Sequence, residues 1–343
     1  MLNQHSHRKD EHVSLAKKFH QENSNAGFDD IRFMPNSLPE ISKKEVDIST
    51  QIGNLKFNIP FYIEAMTGGS DFTKKLNQKL AKISKDTGIA MAVGSESVAL
   101  KYPETSDSFT IARKVNPKGI LIANLGADVS LDEVDDAIKL IDANAIEIHI
   151  NAVQEIIMPE GASVFKWIDN IQKIVEHVTI PVIIKEVGFG MDSESLQRLK
   201  NISVKYVNIG GRGGTNFAQI ENFRRKNKEM KYLKDWGINT VQSLYESQKV
   251  NGVQIIATGG ITNPLEIVKS LYLGADAVGI ASEILVSLID NGVEKTEIMI
   301  NSWIDGIKSI FTILGVQNIQ ELRTKKTVLS PELLSYLQQR HIK

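Results

Sequence analysis

Short apolar runs rich in valine and isoleucine alternate along this chain with longer stretches of helical period, and the alternation continues for eight rounds. The runs predict strands at residues 61–67, 89–95, 119–126, 145–151, 181–188, 206–211, 253–260 and 277–281. Between them Leu131, Val134, Ile138 and Ile141 recur at helical spacing, as do Phe165, Ile168, Ile171, Ile174 and Val178. Strand–helix alternation implies parallel strands joined by right-handed crossovers. Eight such units predict an α/β fold, a closed (β/α)8 TIM barrel, with an open doubly wound sheet as the alternative. The expected organisation is a single domain: an N-terminal arm or cap at 1–60, the barrel at 61–290, and C-terminal helices at 291–343.

Polar residues collect at the C-terminal ends of the predicted strands: Thr67, Ser95, Asn124, His149, Asn151, Lys185 and Thr258. Barrel active sites form at that mouth. The period of two in residues 145–151 puts Glu147, His149 and Asn151 on one face and Ile146, Ile148 and Ile150 on the other. The isoleucine face should pack against helices, which points Glu147 into the barrel. A buried lysine seldom lacks a partner, so a Lys185–Glu147 contact is expected. The competing reading gives Lys185 a ligand role, against a reduced flavin or a phosphate. Gln154 and Glu155 should lie on the loop just beyond. The stretch 212–240 is long for one crossover, and such length is usually functional.

Composition narrows the ligand. The 343 residues include no cysteine, which removes disulfides, thiolate nucleophiles and cysteine metal sites. A formal charge of -1 disfavours nucleic acid. No apolar run reaches the ~18 residues of a membrane span, and a start carrying His5, His7, Arg8 and Lys9 is too polar for a signal peptide. A soluble, cytoplasmic protein with a small anionic ligand is expected.

Three glycine-rich lips sharpen that expectation. Thr258-Gly259-Gly260-Ile261 leads into Asn263-Pro264, Gly279-Ile280-Ala281-Ser282 ends strand eight, and Gly210-Gly211-Arg212-Gly213-Gly214-Thr215 ends strand six. Each alone is a tight turn, but on consecutive strands they favour a phosphate-bearing cofactor. Across the mouth, Met66-Thr67-Gly68-Gly69 and Gly94-Ser95 offer small residues to a flat ring system. Glu155 is one carboxylate, too few for a protein-only cage, but enough to hold Mg2+ when phosphate oxygens and water complete the shell. For His149 alone, a satisfied core histidine is the plainer reading. The arm with Arg8 and Lys9 is either a solvated tail or a pair of cations that folds onto an anionic substrate.

Taken together, these segments resemble the type 2, flavin-dependent isopentenyl diphosphate isomerases. The likeness rests on Arg8-Lys9-Asp10-Glu11-His12-Val13, Ala65-Met66-Thr67-Gly68-Gly69 and His149-Ile150-Asn151 with Gln154-Glu155. It continues through Gly211-Arg212-Gly213-Gly214-Thr215-Asn216-Phe217, Asp235-Trp236-Gly237-Ile238 and Thr258-Gly259-Gly260-Ile261. The resemblance implies FMN in the mouth, contacted by Met66, Thr67, Gly68, Ser95, Asn124, Lys185 and Thr215, with its phosphate near Gly259, Gly260, Ala281 and Ser282. It implies a diphosphate held by Arg8, Lys9, His149 and Asn151, Mg2+ on Glu155, and Gln154 beside the reacting carbons. It further implies NADPH as the reductant of FMN, a homo-oligomer (tetramer or octamer), and a place in isoprenoid biosynthesis. An FMN-dependent 2-hydroxyacid oxidase or dehydrogenase is the rival on the same barrel. That chemistry wants a late histidine as base, and the last histidine after His177 is His341 at the far end.

Overall fold

The computed structural model describes residues 2–20 and 25–342, and the side chains of residues 2–7 lie outside the described set, His5 and His7 among them. Eight parallel strands close into one barrel: β1 (Phe61–Ile63), β2 (Met91–Ala92), β3 (Leu121–Gly126), β4 (Ala145–His149), β5 (Val182–Lys185), β6 (Tyr206–Asn208), β7 (Gln254–Ala257) and β8 (Ala277–Ile280). All eight strands fall inside the predicted ranges, and closure through β8 and β1 rules out the open sheet. The strands are shorter than predicted because their polar ends leave the ladder to form the mouth.

Alternation along β4 works as the sequence predicts. Ile146 and Ile148 pack outward into the helix-facing core, while Glu147, fully buried, faces inward. Parallel registers set Asn124 beside Glu147, and His149 beside Lys185 beside Asn208. One polar layer therefore crosses the barrel near its mouth.

The described part of residues 1–60 is not one arm but several separate structures. Helix α1 (Leu2–Lys18) buries Val13 and Leu15 and lies across the mouth, where Arg8, Lys9 and His12 line the cavity. The hairpin of strands Thr50–Ile52 and Leu55–Phe57 plugs the opposite end, where Ile52 and Phe57 cluster with Tyr62, Ile122, Ile183 and Ile256. A barrel interior left open there would expose these side chains, so the plug supplies the missing wall. The segment Ile31–Phe33 pairs antiparallel with Thr327–Leu329, so the C-terminal region contains a strand as well as helices.

Four further helices frame the site: α2 (Ala152–Ile157), α3 (Phe217–Arg224), α4 (Thr240–Ser247) and α5 (Pro264–Tyr272). Gln154 and Glu155 belong to α2, a correction to their expected loop position; Asn151 precedes the helix with non-helical backbone. Helix α5 starts at Pro264 as predicted, with the Asn263 side chain accepting from the Glu266 amide at 3.1 Å. The long stretch after β6 contains α3 and one short turn of helix, then Asn239 caps α4. Phe165 falls outside its predicted helix, which begins at Ile168. The helix after β8, Ser282–Leu314, is broken at Gly292, whose φ of 82° no helix accommodates.

Candidate active site

The mouth holds a cavity of about 510 Å³. Its floor is made by strand ends. Lys185, 8% exposed, sits 3.4 Å from a carboxylate oxygen of Glu64, the residue just after β1. Glu64 also accepts from the Ala65 amide at 2.7 Å and from Asn208 Nδ2 at 2.8 Å. The expected direct Lys185–Glu147 contact is therefore corrected. Glu147 does point into the barrel, but its oxygens meet Tyr62 Oη at 2.9 Å and Asn124 Nδ2 at 3.1 Å. Barrel closure places β1 opposite β5, and Glu64 reaches the ammonium first.

Asn124 fixes its neighbour. Its Nδ2 donates to Glu147, so its Oδ1 faces His149 Nδ1 at 3.0 Å as an acceptor. With the amide so oriented the His149 proton sits on Nδ1, and Nε2 lies beside Gly126. Burial, with Lys9 and Lys185 nearby, pushes the imidazole down to about 3, so it is neutral at ordinary pH.

The roof is cationic. Lys9 forms no hydrogen bond or ion pair among the described residues, and burial with Arg8 beside it lowers its ammonium to about 8. Arg8 lies 3.5 Å from Glu160, but its Nε is buried without a partner. A half-buried ammonium with no partner among the described residues and a guanidinium with an orphaned Nε, both on a cavity wall, fit an anionic ligand.

The side wall is where α1, α2 and α3 meet. Glu221, fully buried on α3, lies 3.0 Å from His12 Nε2 and accepts from Gln154 Nε2 at 3.0 Å and Arg224 Nη1 at 2.6 Å. Burial pushes this carboxyl up, but His12, Gln154 and Arg224 outweigh it and hold it at about 2. Arg224 also binds Glu11 at 2.9 Å and Glu160 at 2.7 Å, which ties α1 down. Asn151 Nδ2 donates to Glu155 at 3.0 Å, and the other Glu155 oxygen accepts from the Ala162 amide at 2.8 Å. Among the described residues no three His, Asp or Glu side chains form a metal cage.

The other expected residues divide. Met66, Ser95, Thr215, Gly259, Gly260, Ala281 and Ser282 line the cavity. Thr67 and Gly68 do not. Thr67 is buried behind Met66, its carbonyl accepting from Gly94 and Asn77. Gly68 has φ +156°, and a Cβ there would stand 2.1 Å from the Phe109 ring. At Gly259, φ +108°, a Cβ would stand 1.8 Å from the Gly211 carbonyl oxygen, so the strand-six and strand-seven lips interlock.

Sequence reasoning passed over Glu64, Glu221 and Arg224, and it named His12 and Arg212 only as members of their motifs, without a role of their own. Glu64 follows the apolar run Phe61-Tyr62-Ile63, so the rule that flagged Lys185 would also have found it. Arg212 lines a side chamber of about 160 Å³ that shares Gly260 and Ser282 with the main cavity. Its Nε is buried with no partner among the described residues. An orphaned guanidinium edge beside two glycine lips fits a phosphate monoester, and the floor with Lys185 fits a ring system that carries negative charge.

An eight-stranded barrel with a glycine-lipped cavity and a lysine on its floor is an α/β-barrel of the kind that binds a phosphate-bearing cofactor. The FMN-dependent dehydrogenase family model matches residues 101–329. Two full-length relatives narrow the class. The isopentenyl-diphosphate delta-isomerase of Latilactobacillus sakei subsp. sakei (strain 23K) is 48% identical over 338 residues, covering 98% of this chain and 97% of that one. The Staphylococcus aureus isopentenyl-diphosphate delta-isomerase is 46% identical over 341 residues, covering 99% and 97%. The chain belongs to the FMN-dependent isopentenyl-diphosphate delta-isomerase family. Solved structures bear out the fold: a mutant flavocytochrome b2 with pyruvate bound aligns with TM-score 0.68 at 20% identity, over 96% of this chain and 85% of that one. A mutant mandelate oxidase with an FMN adduct gives TM-score 0.61 at 15% identity, over 93% and 92%.

Proposed function

We propose that this protein interconverts isopentenyl diphosphate and dimethylallyl diphosphate, with reduced FMN in the mouth of the barrel and Mg2+ on the diphosphate. The observation that carries the reading is the roof: α1 sets Lys9, an unpaired cation, over a cavity whose floor is Lys185. The reaction moves a double bond by adding a proton at one carbon and removing one from another, with no net redox change. Bound FMN, when reduced, supplies the acid–base chemistry and the flat apolar platform for the isoprenoid.

The side chains bind and orient. Lys9, Arg8, His149 and Asn151 take the diphosphate, and Glu155 takes Mg2+ with phosphate oxygens and water completing the shell. Arg8 exchanges its Glu160 contact for phosphate oxygens, a stronger forked interaction. Gln154 has no useful pKa, so it positions rather than exchanges protons. A carboxylate held at about 2 is likewise a poor base, so Glu221 anchors the Gln154 amide. Lys185 and Thr215 face the flavin together with Met66, Ser95 and Asn124, while Thr67 and Gly68 hold the Met66 segment from behind. Gly259, Gly260, Ala281 and Ser282 would hold the FMN phosphate, with Arg212 as its counter-cation.

NADPH would serve only to reduce FMN. The chain would act as a single barrel domain within a cytoplasmic homo-oligomer of four or eight copies. Among the described residues no helix is long and apolar enough to cross a membrane. No observation favours the hydroxyacid oxidase: the cavity histidines are His12 and His149, one tied to Glu221 and the other to Asn124. The reading is tested by running the reaction in D2O and following the product by NMR. Deuterium in the dimethylallyl methyl group, without consumption of NADPH beyond initial reduction, supports it; conversion tied to stoichiometric NADPH use would refute it.

A further inference from the structure

Under the cavity floor three oxygens cluster. Tyr62 Oη, on a side chain 1% exposed, is 2.9 Å from Glu147 Oε1 and 3.0 Å from Glu64 Oε2. Each of these oxygen–oxygen contacts needs a proton between its partners. The phenol owns one proton, so it can serve only one contact, and the other must be filled by a protonated carboxyl. Asn208 Nδ2, 3.3 Å from the phenol, uses an acceptor site of Tyr62 and cannot supply that proton.

The surroundings decide which carboxyl is the acid. Glu64 is met by the Lys185 ammonium, the Ala65 amide and the Asn208 amide. Glu147 is met by Tyr62, by Asn124 Nδ2 and by Glu64 itself, and among the described residues no cation forms an ion pair with it, the Lys185 ammonium being paired with Glu64. We infer that Glu147 is a neutral carboxylic acid that donates to Tyr62, that Tyr62 donates to the Glu64 carboxylate, and that Glu64 is thereby the positioning residue that sets the charge Lys185 presents to the flavin. The remaining ionisable neighbours agree with this. Burial and the adjacent Glu64 charge push Glu147 well above the usual carboxylate range, whereas Lys185 and the Ala65 amide overcome burial and hold Glu64 down. Glu186 adds a raised, buried carboxyl next to Lys185, and His149 on the Asn124 side is neutral.

The assignment changes the charge of the whole layer. With Glu147 neutral, Lys185 and Glu64 cancel; with both carboxyls ionised, a buried net negative charge would lie under the flavin and oppose its reduction. Replacing Glu147 by glutamine then swaps one neutral side chain for another, since the amide still donates to Tyr62 and accepts from Asn124. Replacing Glu64 by glutamine leaves the ammonium uncancelled.

The inference rests on FMN occupying the mouth only for its electrochemical arm. In FMN-loaded protein, E64Q should shift the flavin midpoint potential upward, and E147Q should leave it at the wild-type value. In FMN-free protein, the wild-type-minus-E147Q infrared difference spectrum should contain a carboxylic-acid C=O band, the contributions of other buried acids such as Glu186 cancelling. An E147Q potential displaced as far upward as that of E64Q, or a difference spectrum with no acid band, overturns the assignment. Should E64Q not fold, the infrared comparison still decides, and failure of FMN to bind would leave that arm intact.

Discussion

Replacing Lys9 by methionine should make the free protein more stable and its ligand binding weaker. In the folded chain the Lys9 ammonium drops from 10.5 to about 8, because burial and Arg8 disfavour its charge and no carboxylate compensates. A drop of that size corresponds to about 3 kcal/mol against the charged form. Lys9 is only half-buried at the mouth, where solvent screens part of the cost, so about 1–2 kcal/mol should survive. Methionine is also a good helix former, so α1 should persist. The sign with pH is fixed by linkage. Between about 8 and 10.5 the unfolded chain binds more protons at Lys9 than the folded one, so wild-type stability rises there relative to K9M. The variant's advantage should be full below pH 8 and fade as pH climbs toward 10.5. Ligand binding should move the other way: a charge-assisted hydrogen bond is worth about 1.5–3 kcal/mol, or roughly 10- to 150-fold in affinity. Urea unfolding of both proteins across that pH range, with calorimetric titration of inorganic diphosphate plus Mg2+, reads out both effects. A K9M protein that is less stable than wild type below pH 8 and binds diphosphate equally well would refute the reasoning.

Three other substitutions probe separate walls of the cavity. Gln154→Ala should lower turnover by about 100-fold or more while retaining FMN, as expected for a residue that positions a proton transfer; unchanged turnover would remove it from the mechanism. Glu155→Gln deletes the carboxylate assigned to Mg2+ and should raise the Mg2+ concentration needed for half-maximal rate, and an unaltered Mg2+ dependence would speak against ligation. Arg212→Ala should weaken FMN binding roughly 10-fold or more by loss of a charge-assisted phosphate contact, yet leave riboflavin affinity unchanged. Equal losses for the two flavins would place Arg212 away from the phosphate.

The barrel was legible because its signals are local. Each strand is an apolar run between breakers, and the inward position of Glu147 follows from a period of two that a single segment displays. What was not legible depends on closure and on chain segments meeting from far apart. Glu64 follows β1 and Lys185 ends β5, and nothing local says that they touch. Glu221 and Arg224 read as an ordinary exposed pair at helical spacing until α1 and α2 cover them and turn the pair into the anchor of Gln154. The motif around Thr67 and Gly68 reads as a ring-binding element, and no local rule says that Phe109, about forty residues further along the chain, fills the room beside Gly68. The glycine lips carry both meanings at once: they interlock with each other, and they border the chamber of Arg212.

The central claim is isomerisation by a reduced flavoprotein without net redox change, and product formation under anaerobic conditions tests it most directly. The purified FMN-loaded protein is photoreduced, then mixed with isopentenyl diphosphate and Mg2+. Many molecules of dimethylallyl diphosphate should form per flavin while the flavin spectrum stays reduced. No product, or product that accumulates only as the flavin oxidises, would contradict the account.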